Sequence, residues 1–448
     1  MTRQELLEIE MLFDNLFPIC RSITGEGLRK SFSFISKYIP LDILSFKTGE
    51  KVLNWEIPKE WVMRDGWIKD ESGEKILDFK DNNLHVINYS APVDKILDLE
   101  ELKPYIHTKP NLPDAIPYVT SYYKRRWGFC MEHSKYSQLK EGKYHAYIDS
   151  EFIDGELNVG HAIIKGEYDK EILISSYLCH PSMANNELSG PIVLAFLYNR
   201  IIKWKKRRFT YRFVLNPETI GSIAYLSRYG EDLVINMYSG MVLTTVGGNT
   251  TLSYKKTRRG NTPLDELVKH LFEKGIITGI IREFTPVYGS DERQYCSPGF
   301  NLPVGQFSRL VYGTYKEYHT SLDNKELMGI ENLLKSVDEI EMILRVNEYN
   351  GYYINLFPYG EVKLDQYGLY PDMNAPSNRG NSSNNSVDGR KELNYILMIL
   401  NYSDGEHTLL DIANKCNCPI TNLISIVDKL KGKGLLEGPY FEKRSIRS

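Results

Sequence analysis

Residues 171–204 read EILISSYLCHPSMANNELSGPIVLAFLYNRIIKW, and the fold class follows from how this stretch is divided. The run EILISSYLCH (171–180) has the length and composition of a buried strand ending in His180. Pro181 and a polar turn stop it. Ser189 and Gly190 then open an apolar helix. The same alternation continues downstream: a strand in RFTYRFVLNPET (208–219), a helix in GSIAYLSRYG (221–230), a strand in INMYSGMVLTTVGG (235–248) and a helix in TPLDELVKHLFEKG (262–275). The last helix begins with Thr262 as N-cap, Pro263 in the first turn and Asp265 three residues on. NLPVGQFSR (301–309) is a further strand, and 324–348 is a long helix with apolar positions at 327, 330, 333, 334, 337 and 340. Alternating strands and helices predict an α/β fold with a mixed, mostly parallel sheet between helices.

Upstream the pattern differs. Residues 1–45 hold two helices. Residues 46–145 break into short β-like pieces separated by Gly, Asn, Asp and Pro, the pattern of an inserted small β-rich domain. Just beyond it, AYIDSEF and GELNVGHAII read as a hairpin. Residues 146–372 carry the α/β pattern. The polar stretch 373–390 reads as a linker. Residues 391–448 read as a C-terminal winged helix-turn-helix, with 419–432 as its second helix and LLEGPYFEK as its wing.

The chain has 448 residues, a formal net charge of −3 and 25% charged residues. That balance excludes a polybasic nucleic-acid coat or an acidic tail. Six scattered cysteines argue for reduced thiols and a cytoplasmic protein rather than a disulfide scaffold. The acidic, amphipathic start lacks the plan of a signal peptide. No apolar run reaches membrane-spanning length. The 31 tyrosines carry no functional reading on their own.

In open parallel sheets ligands bind beyond the carboxyl ends of strands. His180 ends the first strand of the repeat, and Asn186 and Glu187 follow in the loop; Glu218 ends the second strand; Thr244 and Thr245 lie at the third. Asp291, Glu292 and Arg293 precede the fourth, and His319 and Asp323 follow it. Two imidazoles and several carboxylates on one rim suit zinc, which in catalytic sites takes such ligands and keeps one position for water. Cys179 is read as core, because strand neighbours point to opposite faces.

HPSMANNELSG (180–190), PETIGS (217–222), GSDERQYCSPG (289–299) and YHTSLDN (318–324) resemble the marks of the zinc aminopeptidase superfamily. FPICRSITGEGLR (17–29) and AIPYVTSYYKRRWGFC (115–130) resemble more closely its bacterial aminopeptidase-like branch, which has an inserted β-rich domain and a C-terminal winged helix. The resemblance implies His180 and His319 as metal ligands. It puts Asn186 where two-metal members keep a bridging aspartate, Glu218 where they keep a pair of glutamates, and Thr244 or Thr245 where a further metal aspartate would stand. One zinc is therefore expected rather than two, held by His180, His319 and Glu187, with Glu218 as proton-carrying base. If Glu218 is the ligand, the two glutamates exchange roles. Asn186 is expected to donate to the substrate carbonyl or to hold a ligand. Asp291 and Arg293 are expected at the substrate's termini, Asp291 for an amine and Arg293 for a carboxylate.

The implied activity is hydrolysis of an amide bond in a peptide or aminoacylated small molecule, with metal-activated water. Two alternatives stand: a carboxypeptidase or amidohydrolase on the same scaffold, and a non-enzymatic metal-sensing regulator that uses the winged helix on DNA. The 419–432 helix contains no arginine and carries Asp428, so packing or protein contact is favoured over DNA. Membrane association is not expected, and homo-oligomerisation is left open.

Overall fold

In the computed structural model, eight strands form the main sheet: β1 (Asp42–Lys47), β2 (Glu156–Ile164), β3 (Glu171–Tyr177), β4 (Thr210–Asn216), β5 (Met237–Leu243), β6 (Leu252–Lys255), β7 (Gly279–Arg282) and β8 (Val304–Ser308). Residues 3–370 and 385–445 are described. The strand order is β1-β2-β4-β3-β5-β8-β6-β7. β4, β3, β5 and β8 run parallel to one another, while β1, β2 and β6 pair antiparallel. The sheet is thus mixed with a parallel centre. β3 and β4 are buried along their whole length, as strands covered on both faces must be.

The predicted helices are present. Ser189–Ile201 returns from β3, Ile220–Asn236 from β4 and Pro263–Glu273 from β6; Ile330–Tyr349 follows β8. Thr262 and Asp265 bond reciprocally, Thr262 N to Asp265 Oδ2 at 2.9 Å and Asp265 N to Thr262 Oγ1 at 3.3 Å, the capping geometry expected from the sequence.

The inserted β-rich part is an antiparallel sheet of Lys75–Asp78, Glu60–Lys69, Lys143–Ile153 and Val93–Asp98, in that order. Ile68, Leu77, Val86, Phe129, Ala146 and Ile148 form its core. The expected hairpin at 146–164 does not form. Lys143–Ile153 pairs within this small sheet, whereas β2 pairs with β1 and β4. Burial gives the reason. The first strand alternates between buried and open positions, whereas β2 is buried almost throughout. One suits a one-sided antiparallel sheet and the other a covered one.

The chain divides into two units: Met1–Asp265 with Gly279–Glu341, and Glu266–Thr278 with Met342–Ser448. The second unit contains the winged helix: helices Asn385–Tyr402, Leu409–Lys415 and Thr421–Gly432, and a three-stranded sheet in the order Asp404–Thr408, Tyr352–Asn355, Leu436–Tyr440. Its central strand lies within 146–372, the stretch read as aminopeptidase-like. Tyr352 and Ile354 pair there on both sides, a long-range pairing with no local signal. Of the linker expected at 373–390, residues 373–384 lie outside the described ones, and the helix already begins at Asn385. Among the described residues no helix is long and apolar enough to cross a membrane. All six cysteines are free thiols.

Candidate metal centre

β3 ends at Tyr177, and residues 178–183 turn into a single wide helical turn, Ala184–Leu188. Such i→i+5 turns gather at functional sites. This one places Asn186 and Glu187 beneath His180. Asp323 holds the turn: its Oδ1 accepts the Asn185 N–H at 2.6 Å and its Oδ2 the Asn186 N–H at 2.9 Å. Ser182, Thr219, Thr245 and His319 all have positive φ, between 43° and 65°. Four non-glycine residues in the left-handed region, all in the rim loops after the strands, is backbone strain of the kind active sites retain.

The His180 imidazole has a different carboxylate at each edge. Nδ1 lies 2.7 Å from Glu187 Oε2. Nε2 lies 3.9 Å from Glu218 Oε2. The ring of His319 is centred 5.6 Å from that of His180, and its Nε2 is buried with no hydrogen-bond partner. Burial, reinforced by the facing His180, pushes His319 down to about 3, so the ring is neutral and its lone pair is free to bind a cation. Burial also raises the Glu218 carboxyl above the usual carboxylate range, against the pull of His180.

Glu187 was expected as a metal ligand, and the geometry gives it other partners. Its Oε2 is on His180, and its Oε1 accepts the Cys179 N–H at 2.5 Å and lies 3.4 Å from Arg21 Nε. A carboxylate bonded to Nδ1 stands across the ring from any ion held on Nε2. Cys179, His180 and Glu187 do bring ligand atoms within 4.8 Å of one another. However, burial pushes the Cys179 thiol up to about 11, as an apolar environment does, and its Sγ lies on the Nδ1 side of the ring. The Nε2 side, with Glu218 and His319, is the better fit to zinc. Cys179 is buried in a hydrophobic cluster, as read, yet its Sγ also reaches His180 Nδ1 at 3.4 Å. The strand has ended by then, so the alternation that would have separated the two side chains no longer applies.

Asn186 is buried. Its backbone and side-chain oxygens both face the Tyr177 hydroxyl, at 2.6 and 2.8 Å, and Thr244 Oγ1 completes that cluster at 2.7 Å. The Asn186 amide nitrogen has only the Met183 sulfur, at 3.9 Å.

Asp291 does not face a ligand. It is fully buried and accepts from Thr219 N at 2.7 Å, Asn216 Nδ2 at 2.8 Å and Ser222 Oγ at 3.0 Å, bracing the turn that carries Glu218. An amine-binding carboxylate needs an open oxygen, and three intramolecular donors surround this one. Ser290 assists, donating its hydroxyl to Glu218 Oε1 at 2.7 Å. Arg293 is half-buried on the same loop, its Nε on the Ser290 carbonyl at 3.2 Å. Below it Lys255 and Glu292 form a buried ion pair at 2.8 Å, and Lys255 also holds the carbonyls of Thr285 and Tyr288.

Sequence reasoning missed the tyrosines. Tyr118 packs against both imidazoles, with centroids 5.1 Å from His180 and 5.2 Å from His319. Its hydroxyl bonds that of Tyr122 at 2.7 Å and its backbone N–H the His319 carbonyl at 2.8 Å. The 115–130 motif, quoted only for its resemblance, was the one available signal.

Comparisons with known proteins agree with this architecture. A family described as a domain of unknown function, DUF4910, matches residues 10–350, and a winged helix-turn-helix family matches 351–438. A Clostridium acetobutylicum protein provisionally described as a polysaccharide biosynthesis protein with an aminopeptidase-like domain is 42% identical over 430 residues, 96% of each chain. A crystal structure from the same organism, provisionally described as a peptidase, superposes with a TM-score of 0.87 at 41% identity, covering 97% of this chain and 96% of that one. A zinc aminopeptidase from Bacillus subtilis shares the fold at a TM-score of 0.56 and 14% identity, over 76% of this chain and 93% of its own. The chain therefore belongs to the DUF4910 family, built on the zinc-aminopeptidase fold and extended by a C-terminal winged helix.

Proposed function

We propose that this protein is a zinc-dependent hydrolase of aminopeptidase type that cleaves an amide bond. The observation that carries the reading is the buried, unpartnered Nε2 of His319 beside His180, whose own Nε2 faces Glu218. His180, His319 and Glu218 would hold the ion, a His–Glu–His set of the kind catalytic zinc uses. Zinc held there would supply Lewis acidity, activating a water near neutral pH and polarising the scissile carbonyl.

The chain's own residues supply the rest. Ser290 orients Glu218 through its other oxygen, and Glu187 keeps the His180 proton on Nδ1, leaving Nε2 for the ion. The Asn186 amide, held only by a long contact to the Met183 sulfur, would donate to the substrate carbonyl. Arg293 at the rim suits a carboxylate or another anionic group of the substrate. One ion is favoured over two. On the Asn186 side the Tyr177 and Thr244 hydroxyls and the Asn186 amide are all neutral, and the Asp323 oxygens already accept from Asn185, Asn186 and Tyr315. The free thiols fit a cytoplasmic protein.

A second reading, an amidohydrolase acting on an amide-bearing sugar, is favoured by the description of the 42% relative as a polysaccharide biosynthesis protein. The test is hydrolysis by the zinc-loaded full chain of aminoacyl anilides with free and with blocked amines, beside N-acylated amino sugars. Turnover of the free-amine substrate alone supports the aminopeptidase. Turnover of the sugar amide alone transfers the function to the second reading, and no turnover of any substrate by zinc-loaded protein overturns both.

A further inference from the structure

Arg21 lies in the 17–29 motif, which the hydrolytic reading leaves unused. Its side chain is completely buried. Nε donates to the His180 carbonyl at 2.9 Å and stands 3.4 Å from Glu187 Oε1. Nη1 donates to the Leu16 carbonyl. The Arg21 carbonyl accepts from Asn88 Nδ2 at 2.8 Å, and the neighbouring Ser22 hydroxyl donates to Asn88 Oδ1 at 2.5 Å. The turn behind it tolerates only glycine at 27: a Cβ there would come within 1.9 Å of the Cys20 carbonyl oxygen. The chain therefore folds tightly to deliver one guanidinium to the buried side of His180.

The resulting line is guanidinium, carboxylate, imidazole. Glu187 is also completely buried, and a buried carboxylate needs a compensating charge. The Arg21 guanidinium, 3.4 Å away, supplies it. Held beside that charge, Glu187 Oε2 faces His180 Nδ1 at 2.7 Å, which turns Nε2 to the open side. Arg21 grips both ends of the relay, the Glu187 carboxylate by charge and the His180 backbone by hydrogen bond. It has no path to the substrate.

We infer that Arg21 is a positioning residue of the metal centre, acting through Glu187 to set the orientation of His180. This rests on the zinc reading above. The test is a double-mutant cycle on zinc affinity, measured by chelator competition on the full chain for wild type, Arg21→Met, Glu187→Gln and the double variant, each checked for fold by circular dichroism. Each single variant is expected to bind zinc about 10–100-fold more weakly. The double is expected to be no weaker than Glu187→Gln alone, because the relay is already broken. A residue that merely stabilises the fold gives losses that multiply. Wild-type affinity in Arg21→Met, or multiplying losses, overturns the inference. Should Arg21→Met not fold, Arg21→Gln, which keeps a donor and loses the charge, replaces it in the cycle under the same expectations. A wild-type chain that takes up no zinc brings down the zinc reading itself, a result separate from any failure of the cycle.

Discussion

Oε2 of Glu187 sits 2.7 Å from Nδ1 of His180, and this contact sorts the carboxylates of the rim into two kinds. Whatever accepts from Nδ1 orients the ring; under the proposed zinc reading, whatever faces Nε2 would share the ion. Glu218, 3.9 Å from Nε2, is on the chemical side, and Glu187 is behind it.

Glu218→Gln separates ligand from base. As a ligand, Glu218 is expected on substitution to weaken zinc by more than the roughly 10–100-fold that loss of an orienting partner costs, and to lose activity with the metal. Equilibrium dialysis followed by metal analysis checks this. A variant that keeps stoichiometric zinc while turnover falls about 10²–10⁴-fold returns Glu218 to the role of base.

Asp291→Ala takes the acceptor from the Thr219 N–H and from one Asn216 amide hydrogen, while the Ser222 hydroxyl keeps the Thr219 carbonyl. An unsatisfied buried group costs about 1–3 kcal/mol, so unfolding free energy from denaturant titration is expected to fall by about 2 kcal/mol or more. A variant of normal stability with only a raised KM would restore Asp291 to the substrate amine.

The ion pair of Lys255 and Glu292 is buried, at 1% and 0% side-chain exposure. Lys255→Met strands the carboxylate and is expected to cost about 3–5 kcal/mol. Replacing both, Lys255→Met with Glu292→Gln, is expected to recover part of that loss. Equal stability of the single and double variants would contradict the pairing.

His270 belongs to the second unit. Its Nδ1 pairs with Asn414 Oδ1 at 2.8 Å and its Nε2 accepts the Ile420 N–H at 3.0 Å, which requires the neutral ring. Burial, with Lys274 adding, lowers its pKa from the usual value. The unfolded chain therefore binds the proton more readily. The stabilisation from His270 is complete above the unfolded value of about 6.5 and is lost as pH falls below it. Thermal scans between pH 8 and pH 5 are expected to show a decline that His270→Gln reduces.

In the winged helix, Lys429 pairs with Glu392 at 2.8 Å and Asp428 accepts from the Tyr349 hydroxyl at 3.0 Å. Intramolecular partners thus engage charged side chains of the 421–432 helix. Fluorescence anisotropy with duplex DNA at 50 mM and 200 mM salt is expected to show no binding tighter than about 10⁻⁴ M. Tight, steeply salt-dependent binding would make this unit a DNA reader.

Local pattern determined much of this protein. Continuous apolar runs followed by helices specified a covered parallel sheet, because period and length are local properties. The strand-end rule then placed His180, Glu218 and His319 on one rim, and Thr262 with Asp265 announced a helix start. Three things depended on contacts between residues far apart in the chain. Which glutamate faces Nε2 was set by the turn at 184–188 and by Arg21, more than 150 residues upstream. Asp291 became a brace because Asn216, Thr219 and Ser222 converge on it across about 70 residues. Tyr352–Asn355 joined the winged helix through strand partners some 50 to 90 residues downstream. Periodicity records which face of an element is apolar. It does not record which partner a buried polar group finds, and at this site those partners decide the chemistry.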